Sequence, residues 1–345
     1  LRALVYHAIQ DFRLEEIEKP ACPPEGLLLK VKACGLCGGD VRTYFGGHKS
    51  VTPPWIIGHE IAGIVEEVGD QTKGFHKGDR LAVAPVVYCG KCPFCLQGKY
   101  YLCQNVKEIA QHWPGGFAEF MAIPEEALKL GNVNVIPEGL SFEEAAISEP
   151  PSSCLNAQDR AQVGMGDSVV IIGAGPVGCF HCEIARIRGA LKIVMVDLLN
   201  ERLKLAERFS PDLLLESSDS GYLKKINDET QGLGADVVIV ACSSTKAQQD
   251  ALEIARNGGR VIFFGGLPPG KSSSSLDANL LHYKNLQIFG AYSFSPQHHR
   301  LSLKLISKRK IDAKKYITQV IPLENITEGI KAVKEGIVLK VVVRI

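Results

Sequence analysis

Four cysteines, Cys89, Cys92, Cys95 and Cys103, crowd one short stretch of the chain. Gaps of two, two and seven residues are metal-site spacing rather than a disulfide framework. Thiolates bind zinc tetrahedrally at ~2.3 Å, so a compact loop of this kind can wrap one ion and leave no open position. That is the pattern of a structural four-thiolate site. Four separate buried thiols would share the composition but not the density. An iron–sulfur cluster would share both, yet nothing else in the chain suggests electron transfer.

A second group of residues suits phosphate chemistry. Gly173, Ala174, Gly175, Pro176, Val177 and Gly178 spell GxGxxG between an apolar strand (168–172) and a helix candidate (177–189), and Asp197 ends the next strand (192–197). This context is what a dinucleotide fingerprint requires. The first glycine allows the tight turn, the second the approach of a pyrophosphate, and the third the packing of helix on sheet. Asp197 can bind ribose hydroxyls and would repel a 2′-phosphate, which favours NAD over NADP. The competing reading is a glycine-rich turn with no ligand.

A third group is dispersed. Cys37, His59 and Glu149 lie far apart in sequence, with Glu60 next to His59. Thiolate, imidazole and carboxylate are all zinc ligands, and three of them with one open position make a catalytic site. Each residue taken singly also fits a structural role, and a His-Glu pair is commonly a satisfied surface pair, so the residues alone leave both readings open.

The elements that must position these groups fall into two textures. Up to about residue 150, short β runs (27–32, 61–69, 80–85) alternate with Gly and Pro, which predicts an all-β, barrel-like unit. Beyond it, apolar strands at 168–172, 192–197, 235–240 and 260–264 alternate with helices at 177–189, 200–209 and 248–256. This predicts a doubly wound parallel sheet covered on both faces, an α/β class overall. The tail holds helices at 300–308 and 323–334 and a strand at 339–343.

Composition bounds the function. The chain has 345 residues, long enough for about two domains and for a core that needs no disulfides. With 39 basic and 38 acidic residues its net charge is +1, which argues against a nucleic-acid partner. No apolar run reaches the length of a membrane span, and residues 1–5 carry no signal-peptide pattern. The chain starts without Met, which is compatible with a processed or a recoded start. Eleven cysteines, an odd number with four clustered, indicate a reducing, cytoplasmic setting.

Taken in order, the Gly58-His59-Glu60…Gly63…Gly69 signature, the four-cysteine lobe and the GxGxxG unit resemble the zinc-dependent medium-chain dehydrogenase family along essentially the whole chain. The resemblance implies a split GroES-like catalytic domain (1–148 and 290–345) around a Rossmann NAD-binding domain (149–289). It implies two zinc ions per chain: a catalytic one on Cys37, His59 and Glu149, with Glu60 as exchanging carboxylate, and a structural one on Cys89, Cys92, Cys95 and Cys103. It places Val177 behind the nicotinamide, Arg202 at the adenosine ribose, Gly265 to Leu267 beside the carboxamide, and Phe117 in the substrate pocket. Glu149, where other members have Cys, resembles the sorbitol (polyol) and threonine dehydrogenase branch. The implied reaction is hydride transfer between NAD and a secondary alcohol of a polyol, sugar or sugar acid. L-threonine, a simple secondary alcohol, or a non-catalytic dinucleotide-binding role are the alternatives.

The sequence departs from the family in places. Most members carry Ser or Thr two residues after the zinc Cys to relay the alcohol proton, and here that position is Gly39. The family's common relay His is Arg42, leaving water, Glu60 or Tyr44 as substitutes. Ser293 and Phe294 replace the Arg-Tyr pair of sorbitol dehydrogenases, which weakens a polyol assignment and puts Phe294 in the expected pocket with Arg42, Tyr44 and Phe117. Arg42 can pair with a substrate carboxylate, and His298, His299 and Arg300 add basic groups to a segment expected near the cleft. The apolar run at 286–289 resembles the family's pairing strand, implying a homotetramer or homodimer.

Overall fold

The computed structural model describes residues 1–268 and 270–345. The chain divides into two compact units, Leu1–Ser152 with Phe294–Ile345, and Ser153–Ser293. These divisions fall a few residues beyond the 149–289 expected from the sequence, which moves Glu149 into the first unit, where Phe294 was already expected.

The first unit is built on the strand Leu27–Leu36. Leu27, Leu28 and Leu29 are all buried, because partners and packing cover both faces of the strand rather than one. It pairs antiparallel with Glu60–Val68, with Phe120–Ile123 and with Lys340–Arg344. The sheet continues through Arg80–Val83 to Val133–Val135 on one side and to Ile317–Pro322 on the other. A three-stranded sheet, Asp11–Glu16, Arg2–Ala8 and Trp55–Ile56, holds the segment that leads into His59. The core between these layers includes Leu29, Val31, Ile61, Leu81, Phe117, Met121 and Val341. The strands begin within a residue of their expected positions, and Leu27–Leu36 runs on to the edge of Cys37.

The second unit is a six-stranded, all-parallel sheet. Its order is Leu213–Glu216, Lys192–Asp197, Ser168–Ile172, Ala235–Val240, Ala255–Phe263 and Gln287–Gly290. In chain order that is 3-2-1-4-5-6, the doubly wound arrangement whose ligand crevice lies at the carboxyl ends of the strands, where the order reverses. Val170, Ile172, Val194, Val196, Val238 and Val240 fill its core. The helix expected at 248–256 forms instead at Thr245–Ile254, where the Ser244 hydroxyl accepts from the Ala247 N–H as an N-cap. The strand Leu213–Glu216 and the helix Tyr222–Glu229 are additions to the expected list.

Candidate functional site

Cys37 ends the central strand and caps the helix Gly38–Gly46; the Asp40 carboxylate accepts from its N–H at 2.8 Å. Gly58, at φ +94°, turns the chain from Trp55–Ile56 so that His59 and Glu60 enter the neighbouring strand beside it. A Cβ on Gly58 would lie 2.8 Å from the Phe117 ring, so both the turn and the space require glycine. One ligand atom from each of Cys37, His59 and Glu60 lies within 4.8 Å of the others. Burial pulls the His59 imidazole down, but the Cys37 thiolate, Asp40 and Glu149 outweigh it and hold its pKa well above the ordinary value. Glu149, the first residue of helix Glu149–Arg160, lies outside that tight triplet but is electrostatically coupled to His59 and Glu60. Burial, the largest influence on its carboxyl, raises it to about 7.

Glu60 is fully buried. One of its oxygens pairs with Lys340 Nζ, which also donates to the Leu36 carbonyl at 3.1 Å. The other oxygen, Oε2, has no hydrogen-bond partner. A Cβ on Gly35 would stand 2.0 Å from that oxygen, so the glycine clears the space the carboxylate occupies. A buried carboxylate oxygen without a partner, beside a thiolate and an imidazole, is a donor set that a zinc ion would complete.

The four-cysteine loop closes on itself. Cys92 caps the short helix Pro93–Leu96, and the four sulfurs lie within 4.8 Å of one another. Cys89 Sγ stands 3.5 Å from Cys103 Sγ and 3.9 Å from Cys95 Sγ. Those separations exceed a disulfide bond and match the ~3.8 Å edge of a tetrahedron with ~2.3 Å arms. Backbone N–H groups of Cys95 and then Gln104 draw the Cys92 thiol down to about 6, while burial pushes Cys95 up to about 12 and raises Cys103, so it is the sulfur geometry that speaks for a metal. The residues fit a structural zinc.

In the second unit, Gly173 takes φ +119°, and a Cβ on Gly178 would fall 1.8 Å from the Gly173 carbonyl oxygen. A Cβ on Gly175 would meet nothing within 4 Å, leaving open space at the N-terminus of helix Pro176–Ile187. Asp197 accepts from the Ala174 N–H at 2.7 Å and the Leu199 N–H at 2.9 Å, which ties the carboxylate to the glycine turn. Pro176, Val177 and Arg202 are half-buried; Asp197 and Arg202 both act on the Cys242 thiol, which places them in one neighbourhood. Gly265 packs on the Cys242 carbonyl, where a Cβ would fall at 2.3 Å, with Leu267 two residues on. The cradle fits a dinucleotide.

Residues 23–132 match the alcohol dehydrogenase GroES-like domain, and residues 176–308 match the zinc-binding dehydrogenase family. The chain is 31% identical to an erythritol/L-threitol dehydrogenase of Mycolicibacterium smegmatis over 97% of its own length and 95% of that protein's. The chain belongs to the zinc-dependent medium-chain dehydrogenase family. It is also 30% identical to a D-arabitol-phosphate dehydrogenase of Enterococcus avium, covering 95% of this chain and 92% of that one. The solved 2R,3R-butanediol dehydrogenase of Bacillus subtilis superposes with a TM-score of 0.90 at 28% identity, over 100% of this chain and 99% of that one. This medium-chain dehydrogenase is therefore an oxidoreductase of small molecules with the GroES-like and Rossmann folds expected from its sequence. None of its helices, among the described residues, is long and apolar enough to cross a membrane.

Three of the four expected pocket residues of this dehydrogenase, Tyr44, Phe117 and Phe294, are buried in apolar clusters. Tyr44 is buried and stacks edge-on with Phe12 and Phe45 at 5.0 Å. Phe294 is 2% exposed and packs with Tyr88, Cys92 and Cys95 against the cysteine lobe. An aromatic side chain is more economically buried than left as a pocket wall, and sequence alone does not separate the two. Phe117 is fully buried beneath Gly58. His299 is likewise internal rather than a basic group facing a cleft. Burial drives its imidazole down to about 4.

The dehydrogenase fold gives His299 another task, invisible in the sequence. The Ser148 hydroxyl donates to the Ala145 carbonyl at 2.6 Å and therefore accepts from His299 Nε2 at 3.0 Å. His299 Nδ1 then accepts from the Asn134 amide at 3.0 Å, a tautomer assigned from this network. The Ser148 carbonyl receives the Ser152 and Ser302 hydroxyls at 2.9 and 2.7 Å. The residue before Glu149 is thus gripped from several sides by buried groups.

Proposed function

We propose that this dehydrogenase oxidises a secondary alcohol of a polyol or sugar-derived substrate with NAD, using a catalytic zinc on Cys37, His59 and Glu149, with Glu60 in attendance. The observation that carries this reading is the convergence of Cys37, His59 and Glu60 in one half-buried cluster beside Glu149. The polyol class is supported by relatives that act on erythritol, L-threitol and D-arabitol phosphate. NAD is supported by Asp197, whose charge opposes a 2′-phosphate. A second, structural zinc is supported by the sulfur separations in the cysteine lobe.

When bound, zinc would supply Lewis acidity to the alcohol oxygen, and the nicotinamide would take the hydride. The chain's own residues do the rest. Cys37 and Glu149 bring negative charge to the metal position, and His59 a neutral ring once its proton is displaced. Asp40, 3.8 Å from His59 Nδ1, adds negative charge beside that ring without a hydrogen bond to it. Lys340 holds one Glu60 oxygen and leaves the other without a partner. Gly39 offers no hydroxyl, and Tyr44 is enclosed in the aromatic core, so the alcohol proton has no side-chain relay at either position. The strand Gln287–Gly290 edges the parallel sheet and supports pairing with a second copy, as a dimer or tetramer. The cysteine usage supports a cytoplasmic setting.

Metal analysis and kinetics test the reading together. The purified protein is expected to hold two zinc ions per chain, and Cys37→Ser to hold one, with activity abolished and NAD binding retained. Full activity in Cys37→Ser, or a marked preference for NADP over NAD, refutes the corresponding assignment.

A further inference from the structure

Helix Gly38–Gly46 opens with two glycines that border the candidate metal site. A Cβ on Gly39 would lie 3.7 Å from His59 Cε1, 3.8 Å from Cys37 Sγ and 3.9 Å from Arg42 Nη2. A Cβ on Gly38 would lie 3.7 Å from Arg42 Nη1. The guanidinium therefore folds back over the first turn of its own helix. One space the size of a small side chain borders the guanidinium and two metal-ligand candidates at once.

Two carboxylates near this space, Asp40 and Glu60, are already engaged. Asp40 is 3% exposed, accepts from Cys37 N–H through one oxygen, and has the other 3.8 Å from His59 Nδ1. Glu60 pairs with Lys340. Arg42 is exposed and, among the described residues, has no ion pair or hydrogen bond. A guanidinium carries five N–H donors and a permanent charge. Exposed and without a counter-ion among the described residues, it can pair with an incoming anion through its N–H fork.

We propose that Arg42 and the space above Gly39 form a subsite for an anionic substituent, a carboxylate or a phosphate, on a sugar-derived substrate whose reacting oxygen sits at Cys37 and His59. The inference rests on the dehydrogenase reading above and names the substrate class within it. The guanidinium fork matches either anion through two parallel N–H···O bonds. A Cβ at Gly39 would make only ordinary contacts, whereas a branched or longer side chain there would crowd the guanidinium and the space above it. The anion must stand a short carbon spacer away from the reacting carbinol, as in an aldonate or a polyol phosphate.

The zinc-loaded enzyme is assayed at low salt on matched sets of equal carbon number: a neutral polyol, the corresponding aldonate and the corresponding terminal phosphate ester. At least one anionic member is expected to exceed the neutral one in kcat/KM by about tenfold or more. Arg42→Ala should remove most of that ratio, chiefly through KM, and Arg42→Lys should restore part of it. Gly39→Ile should remove it by filling the space. The carboxylate and phosphate arms show which anion the subsite takes. Calorimetric binding of the aldonate and the phosphate ester, weakened by Arg42→Ala, supports the subsite independently of turnover. Oxidation of neutral polyols with no anionic advantage, an unchanged ratio in Arg42→Ala, or no measurable binding of either anion overturns it. In the first of these cases the dehydrogenase reading stands; failure of every alcohol in the set, with anion binding intact, would count against that reading and not against the subsite.

Discussion

Glu60 and Lys340 meet with almost no solvent around them, at 0% and 5% side-chain exposure. A buried pair of this kind is weak as a source of net stability but costly to break, about 3–5 kcal/mol, because the surviving charge stays buried and uncompensated. Lys340→Met is therefore expected to lower unfolding stability by about that amount in urea titration, while Lys340→Arg loses less. Gly35→Ala should act on the same carboxylate from the other side, since its Cβ would fall 2.0 Å from Glu60 Oε2. We expect zinc to be held less tightly in Gly35→Ala, measured as faster loss to a chelator. The closeness of Cys37, His59 and Glu60 was legible in the sequence because their types are ligands and their order resembles a family, whereas Glu149 stands outside that triplet. Lys340 was not, because its partner lies 280 residues away and a lysine before an apolar strand carries no sign of burial. Gly39 and Arg42 were legible as departures, but that they share one space with Cys37 and His59 required coordinates.

At the scale of elements, the parallel strands are joined at their amino ends by Asp236. Its carboxylate accepts from the Ser168 N–H at 2.9 Å, from the Ser168 hydroxyl at 2.6 Å and from Arg256 Nε at 2.5 Å. Burial pushes this carboxyl up, but the Ser168 bonds and Arg256 outweigh it and leave its pKa below the ordinary value. The group is thus ionised more readily folded than unfolded. Its stabilisation is present above the unfolded carboxylate pKa of ~3.9 and is lost as pH falls through the lower folded value. Asp236→Ala should cost about 2–3 kcal/mol near neutral pH, and the difference from the parent should narrow on acidification, followed by melting at pH 6 down to ~3. Apolar runs of five or six residues, such as 168–172 and 235–240, announced their strands plainly. Leu213–Glu216 did not, because it is four residues long and leucine-rich, and leucine favours helix as readily as strand. The His299 clamp on Ser148 was hidden for a different reason: a histidine followed by arginine near a helix start reads as surface charge. His299→Leu should loosen the catalytic zinc and raise KM more than Ser302→Ala does, whereas His299→Gln, which keeps a donor, should recover part of both.

The whole molecule is two cores with different dependence on metal. The cysteine lobe has only a small apolar cluster of its own, Ala84, Val86, Tyr88, Cys92, Cys95 and Phe294, and relies on its sulfurs for closure. Cys103→Ser is expected to remove one zinc per chain and lower the melting temperature of the first unit, leaving dinucleotide binding in the second unchanged, as read by NADH fluorescence. The two textures along the chain were visible in composition; which strands the tail would join was not, because pairing between distant segments leaves no local pattern. That pairing has a consequence during synthesis. The strand Leu27–Leu36 leaves the ribosome ahead of all three partners, and the third, Lys340–Arg344, follows only after the whole parallel sheet has been translated. Until it arrives, Glu60 has no cation and the central sheet has an open edge, while the inserted parallel sheet is already complete. A nascent chain stalled before residue 340 should therefore hold a protease-resistant dinucleotide unit tethered to an unfinished barrel, dependent on chaperones that shield exposed strands.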